Sequence, residues 1–336
     1  MGDMKICLIG GSGRSGTTIL RRIFSRHPAL SEVPELRFLV DPDGLVDFYD
    51  TLRHGWSPYL FDVKLRRLEG LLRDMERPAY ISGGMKLVLR KLGLSRILPR
   101  VLWRRYYYVG LRNFAPNYPQ LVGELVHDLK EFDFRGQWVG MGFGDRPRLA
   151  YAGRMEPEEL AAKLGKFYRN VANAIVAEQE VKHYLEKNTW NILCFDRILD
   201  LVPEAKFVHI YRDPRDVVAS MAKQPWAPSD PELCAVWVSD IMSQWWRIRA
   251  SVPAESFMEV KFETLVEHPK DTLEVICDFW GIPMDKSLLS LKLNAHNKGR
   301  WRKQFSPLVA ANVGRQVKPI MQAYDYASEA YVQSTR

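Results

Sequence analysis

The sequence is poor in cysteine, and what it has is not arranged for chemistry. Cys7, Cys194, Cys234 and Cys277 are scattered among 336 residues, with no CxxC pair and no Cys/His cluster. That spacing excludes a disulfide framework and a zinc site as organising devices, and the four are expected as core thiols. Also missing is an apolar run long enough to span a bilayer, and the start Met1-Gly2-Asp3-Met4 has no charged segment leading into an apolar one. A cytoplasmic protein is therefore expected. There is no internal repeat and no low-complexity linker, so one domain spanning 1–336 is expected.

Hydrophobic content of 46% and charged content of 26% are those of an ordinary globular protein. The formal charge of +8 suits an anionic partner, whether nucleic acid, a membrane surface or a small ligand, and composition does not choose among them. Periodicity says more. Lys5-Ile6-Cys7-Leu8-Ile9 reads as a buried strand ended by Gly10-Gly11, and residues 16–26 carry apolar positions at helical spacing. Helices are predicted over Val63–Met75 and Pro157–Gln179. Alternation then resumes: a strand at His183-Tyr184-Leu185, a helix over Asn191–Val202, a strand over Lys206–Tyr211, and helices over Arg215–Ala222 and Ala235–Ala250. A strand over Phe257–Phe262 and a helix over Pro269–Trp280 complete the pattern. Strands alternating with helices imply an α/β fold: a P-loop-like parallel sheet flanked by helices on both faces, with residues 40–180 as a largely helical insertion.

The chemistry starts at Gly10-Gly11-Ser12-Gly13-Arg14-Ser15-Gly16-Thr17-Thr18, which joins strand to helix. Glycines let backbone approach an anion, and the first helical turn offers N–H groups and two hydroxyls to phosphate oxygens. Gly11 and Gly16 are spaced as in a Walker A loop, but Thr17 stands where that motif requires lysine. The site therefore suits a nucleotide without a β/γ-phosphate chain and speaks against a P-loop kinase acting on a small molecule. Farther on, the strand ending Arg212-Asp213-Pro214-Arg215 is followed by Ser220 on the next helix, and both Arg212 and Ser220 can donate to one phosphate.

These segments resemble PAPS-dependent sulfotransferases (PAPS is 3'-phosphoadenosine-5'-phosphosulfate). Arg14-Ser15-Gly16-Thr17-Thr18 is similar to the family's 5'-phosphosulfate loop, usually written PRSGTT, with Gly13 in place of the proline. Arg212 and Ser220 match its 3'-phosphate motif. Glu186-Lys187-Asn188-Thr189-Trp190-Asn191 resembles the EKTPxN segment, with Asn188-Thr189 replacing Thr-Pro. The resemblance implies a sulfuryl transfer in which Arg14, Lys187 and Glu35 are catalytic. Lys187 supports the leaving oxygen and Glu35, in Glu32-Val33-Pro34-Glu35-Leu36-Arg37, takes the acceptor's proton as in the tyrosylprotein-type and Golgi or bacterial enzymes. Glu32 competes for the base, and His127 is the remaining histidine candidate. Asn297-Lys298-Gly299-Arg300-Trp301 partly resembles the C-terminal loop, which assigns Lys298 and Arg300 to phosphate and Trp301 to adenine. PAPS is the expected co-substrate, with no metal required. A non-catalytic nucleotide- or membrane-binding module is the other alternative.

The acceptor is expected to be a small molecule or glycan, a carbohydrate, glycolipid or phenol among them, bound on the side of the 40–180 insertion. Between Ile81 and Gly123 no acidic residue occurs, while Lys86, Arg90, Lys91, Arg96, Arg100, Arg104, Arg105 and Arg112 alternate with Trp103 and Tyr106-Tyr107-Tyr108. Peripheral contact of 86–112 with an anionic membrane is one expectation; nucleic acid is not.

Overall fold

The five residues of β1, Ile6–Gly10, are all buried, as the central strand of a parallel sheet must be. Side chains alternate across it. Ile6 and Leu8 join a large core with β4 (Tyr184–Lys187) and the helices of the insertion, while Cys7 and Ile9 face a smaller core. The computed structural model of the chain describes residues 4–77, 88, 91–93, 106, 109–139, 148–291, 293 and 298–326.

The main sheet has the order β4-β1-β5-β6, all parallel, with β5 at Lys206–Tyr211 and β6 at Phe257–Lys261. Helices cover both faces. The smaller core is closed by α1 (Thr17–Phe24) and by Leu273, Ile276, Cys277 and Trp280 of a late helix, Pro269–Trp280. On the other face lie α2 (Leu45–His54), α3 (Pro58–Asp74), α4 (Tyr118–Leu129), α5 (Pro157–Glu178), α6 (Phe195–Leu201), α7 (Pro214–Met221) and α8 (Pro231–Ser251). The chain thus has the P-loop-like α/β architecture expected. The four cysteines are buried and free.

Within 40–180 the described elements are mainly helical, with one addition. Phe132–Arg135 (β2) and Arg148–Tyr151 (β3) form an antiparallel ribbon. Asp62 of α3 anchors it, accepting from Ala150 N at 2.8 Å and Trp138 Nε1 at 3.0 Å. The helix α3 begins earlier than its apolar spacing suggests, because Ser57 caps it through Leu60 N–H and Pro58 occupies the first turn.

One expected helix is broken. Residues 191–202 are a 3₁₀ turn, Thr189–Leu193, and then α6, separated at Cys194 with φ −150° and ψ 25°. Asn188 causes the tight turn: its Oδ1 accepts Trp190 N–H at 3.0 Å, fixing a cap immediately after β4. No described helix is long and apolar enough to cross a membrane.

The register places the site. Ile9 pairs with Lys187 on one side, and Gly10 with His209 on the other. Strand order reverses at β1, since the chain passes from β4 across β1 to β5. Parallel neighbours lie about 4.8 Å apart, so the loop after β1, Lys187 and Arg212 emerge side by side at the sheet's carboxyl edge, where α/β folds bind ligands.

Candidate active site

The loop owes its shape to backbone that L side chains rarely adopt. Gly13 has φ 84°, Arg14 φ 56° and Gly16 φ 116°. Proline, locked near −65°, is incompatible with this conformation at Gly13, so the difference from PRSGTT changes the turn itself. Gly11 is needed for closeness: a Cβ there would lie 2.4 Å from Ser15 Oγ and 2.6 Å from Ile210 O. No side chain caps α1 and its first turn holds no acid, so its leading N–H groups face the loop with a positive dipole end. Ser15 Oγ is buried in this cradle without a partner, which an anion's oxygen would supply. Thr17 is buried and Thr18 exposed at the helix start.

Two segments bring guanidinium groups to Ser220 on α7, and a third places Arg212 where its charge acts on Arg14. Arg14 Nε donates to Ser220 Oγ at 3.0 Å, and Arg300 Nη1 donates to the same oxygen at 3.4 Å. Arg212 is 9% exposed, lies with its guanidinium 5.0 Å from the Phe262 ring, and bonds Asp216 Oδ2 at 3.0 Å. Partial burial, followed by the charges of Arg300 and Arg212, holds the Arg14 guanidinium below its usual range. Like charges gathered this way describe a site for a multivalent anion.

At the other side of β1, Lys187 forms an ion pair with Glu35, whose second oxygen is 3.3 Å from Arg37 Nη1. Arg37 Nε in turn bonds Asp41 at 2.7 Å, and Asp41 accepts from Tyr106 OH. Lys187 is held because it ends a buried strand; Glu35 is held because Asn188 Nδ2 donates to Leu36 O at 2.7 Å. Glu32 turns the other way, to Arg21 at 3.5 Å, and is largely exposed. His127 sits on α4, which packs against α5. Of the candidates for the base, Glu35 is the one that meets Lys187. Beneath them Glu186 accepts from Tyr168 OH at 2.8 Å and Tyr184 OH at 3.1 Å. Burial raises its carboxyl to about 7 against the opposing pull of the two hydroxyls, and the charge of Glu35 adds to the rise.

The C-terminal turn arrives by one contact the sequence did not single out. Asp216 is 1% exposed; it accepts Gly299 N–H at 2.8 Å and Trp301 N–H at 3.1 Å, as well as Arg212. The spacing of four between Arg212 and Asp216 was the available signal. Arg300 is thereby set on Ser220. Trp301 is 3% exposed, its ring 4.5 Å from the Arg215 guanidinium and 4.8 Å from that of Arg302. Those cations occupy the surroundings expected for adenine. Lys298 pairs with Glu267 at 2.7 Å, on the rim of a shallow depression shared with Arg212 and Phe262. Of the basic stretch 86–112 most lies outside the described residues; Arg112 is paired with Glu76 at 2.7 Å, and Lys91 is exposed.

Residues 122–286 match the sulfotransferase family model, a span that contains Lys187, Arg212 and Ser220 but not the loop or Glu35. None of the curated proteins matches the chain. Among solved structures, the sulfotransferase domain from the curacin biosynthetic pathway is similar at 12% identity and a TM-score of 0.50, over 95% of this chain and 98% of that one. The sulfotransferase domain from the Synechococcus PCC 7002 olefin synthase aligns at 16% identity and a TM-score of 0.47, over 98% of each chain. The sulfotransferase STF9 from Mycobacterium avium aligns at 11% identity and a TM-score of 0.44, over 96% of this chain and 78% of that one. Over residues 122–286, and in its parallel sheet, the chain is similar to the sulfotransferase family.

Proposed function

We propose that the protein transfers a sulfuryl group from PAPS to a hydroxyl or amine acceptor such as a carbohydrate, glycolipid or phenol. The observation that carries this reading is the convergence of Arg14 and Arg300 on Ser220, with the charge of Arg212 close to Arg14, beside a phosphate loop without the Walker lysine. A dianionic 3'-phosphate beside a 5'-phosphosulfate fits two such anion sites at adjacent strand ends.

The donor supplies a sulfuryl group already activated on its 5'-phosphate. The loop N–H groups with Ser15, Gly16, Thr17 and Thr18 hold that end, while Arg212, Ser220 and Arg300 select the 3' end. Glu35 accepts the acceptor's proton as the new S–O bond (or S–N bond, for an amine) forms, and Lys187 meets the charge left on the departing phosphate oxygen as the old S–O bond breaks. The Lys187–Glu35 ion pair gives these roles a sequence. When a leaving oxygen takes the ammonium, the Glu35 oxygen it held is free to accept the acceptor's proton.

Calorimetric titration with adenosine 3',5'-bisphosphate (PAP), without Mg²⁺, tests the reading. PAP is expected to bind the wild type, and Arg212→Ala to weaken it by roughly 1.5–3 kcal/mol, the range for charged hydrogen bonds. Failure of the wild type to bind PAP sinks the proposal.

A further inference from the structure

Ligands of α/β folds sit at the carboxyl edge of the sheet, yet a recess of about 540 Å³ opens at the amino edge, where β1 and β5 begin. A space of that size accommodates a small organic molecule. Roughly 17 Å of strand separates Lys5 in its lining from Gly10, so it is no part of the donor site. Cations outnumber acids around it. Lys5, Arg169 and Lys206 face a single carboxylate, Glu204, which is committed to Arg169 through Nη2 at 2.8 Å. Lys206 Nζ donates to Phe279 O at 2.8 Å, at the carbonyl end of the late helix.

Two donors are left over. Among the described residues the Lys5 ammonium has neither a hydrogen bond nor an ion pair, and the Asn173 amide, one turn beyond Arg169 on α5, has no partner either. The field of that ammonium is felt nearby: burial, then the charge of Lys5, holds the His183 imidazole below its usual range. Met4, Ile6 and Trp280 contribute apolar surface to the lining.

We propose that this recess is a second ligand site, taking a small organic anion that carries a carboxylate or phosphate on an apolar body. Lys5 and Asn173 meet the anionic group, Lys206 adds a further unbalanced charge, and the apolar lining receives the body. The site is separate from the one read for PAPS and stands or falls without it.

Calorimetric titration with phenyl phosphate and with benzoate, each with and without PAP, tests the proposal and tells the two anionic groups apart. At least one is expected to bind at millimolar concentration or below, with the same affinity whether or not PAP is present. Inorganic phosphate and benzyl alcohol, each lacking one half of the ligand, are expected to bind at least about 10-fold more weakly. Lys5→Gln is expected to weaken the bound anion by about 10-fold, as loss of one charged hydrogen bond does, and Asn173→Trp, which fills the recess, to abolish binding. Both positions are exposed, so unchanged urea denaturation of the variants assigns the loss to the recess. Displacement of the anion by PAP would put it in the donor site, and equal affinity in both variants would put it elsewhere on the surface. Either result overturns the proposal, as does absence of binding by both anions at millimolar concentration. Failure of PAP to bind bears on the donor reading alone.

Discussion

Glu35 is held between two cations, Lys187 on one oxygen and Arg37 on the other. A carboxylate so placed is poised to be a base only when one of them is engaged elsewhere. We therefore expect Glu35→Gln to lower transfer of labelled sulfate from PAPS into acceptors of a cell extract by about 10²- to 10⁴-fold, the usual contribution of a general base. PAP affinity in the same variant is expected to be unchanged or higher, since Lys187 is released. Loss of PAP binding together with turnover would make Glu35 a structural residue. At this scale the sequence named Glu35 and Lys187 but could not pair them, because 152 residues separate them. It left Glu32 as a rival for the same reason, and only the direction of each side chain separated the two.

At the scale of elements, the loop-to-helix junction depends on Gly16. Its φ is 116°, and a Cβ there would stand 2.6 Å from Phe262 Cδ2. Phe262 opens the short helix after β6 and also lies beneath Arg212, so it is not free to move aside. Gly16→Ala is expected to cost roughly 1–3 kcal/mol in urea denaturation, from strain plus overlap, and to weaken PAP. Gly123, inside α4, is the control, since a Cβ there meets nothing within 4 Å. Gly123→Ala is expected to be neutral or stabilising by up to about 1 kcal/mol. Equal losses from the two would mean that the glycine loop is not under positional constraint. Strand and helix identities were legible here from apolar periodicity. The break at Cys194 was not, because it follows from Asn188 capping a turn against β1 rather than from any helix-breaking residue.

Across the whole molecule, Glu259 on β6 ties the sheet to distant parts of the chain. It accepts from His209 of β5 at 3.0 Å, from Trp245 Nε1 at 2.7 Å and Arg249 at 2.6 Å of α8, and from Tyr324 near the C-terminus. Burial alone would raise its carboxyl, but the His209 hydrogen bond and charge, with Trp245 and Tyr324, hold it down at about 2. A depressed acid stabilises the fold above the ordinary carboxylate range, and that stabilisation is lost as pH falls through about 2. We expect wild-type stability to drop by on the order of 3 kcal/mol more than that of Glu259→Gln between about pH 5 and pH 2 in chemical denaturation. Parallel acid profiles for the two proteins would contradict this linkage. Alternation marked this strand in the sequence, but the convergence of four donors from three parts of the chain on one carboxylate has no linear signature.

The sequence by itself determined most of the strands and helices, the glycine-rich loop without a Walker lysine, and the order of the segments proposed to bind anions. These are local properties, set by side-chain period and by backbone freedom at glycine. Tertiary structure alone decided that β1 lies between β4 and β5, and so which charges become neighbours. It joined Lys187 to Glu35, turned Arg14 onto Ser220, and enclosed Trp301 among arginines. Coulomb attraction and hydrogen bonding act over a few ångströms in space, whatever the separation along the chain, so strand order rather than residue order assigns the partners.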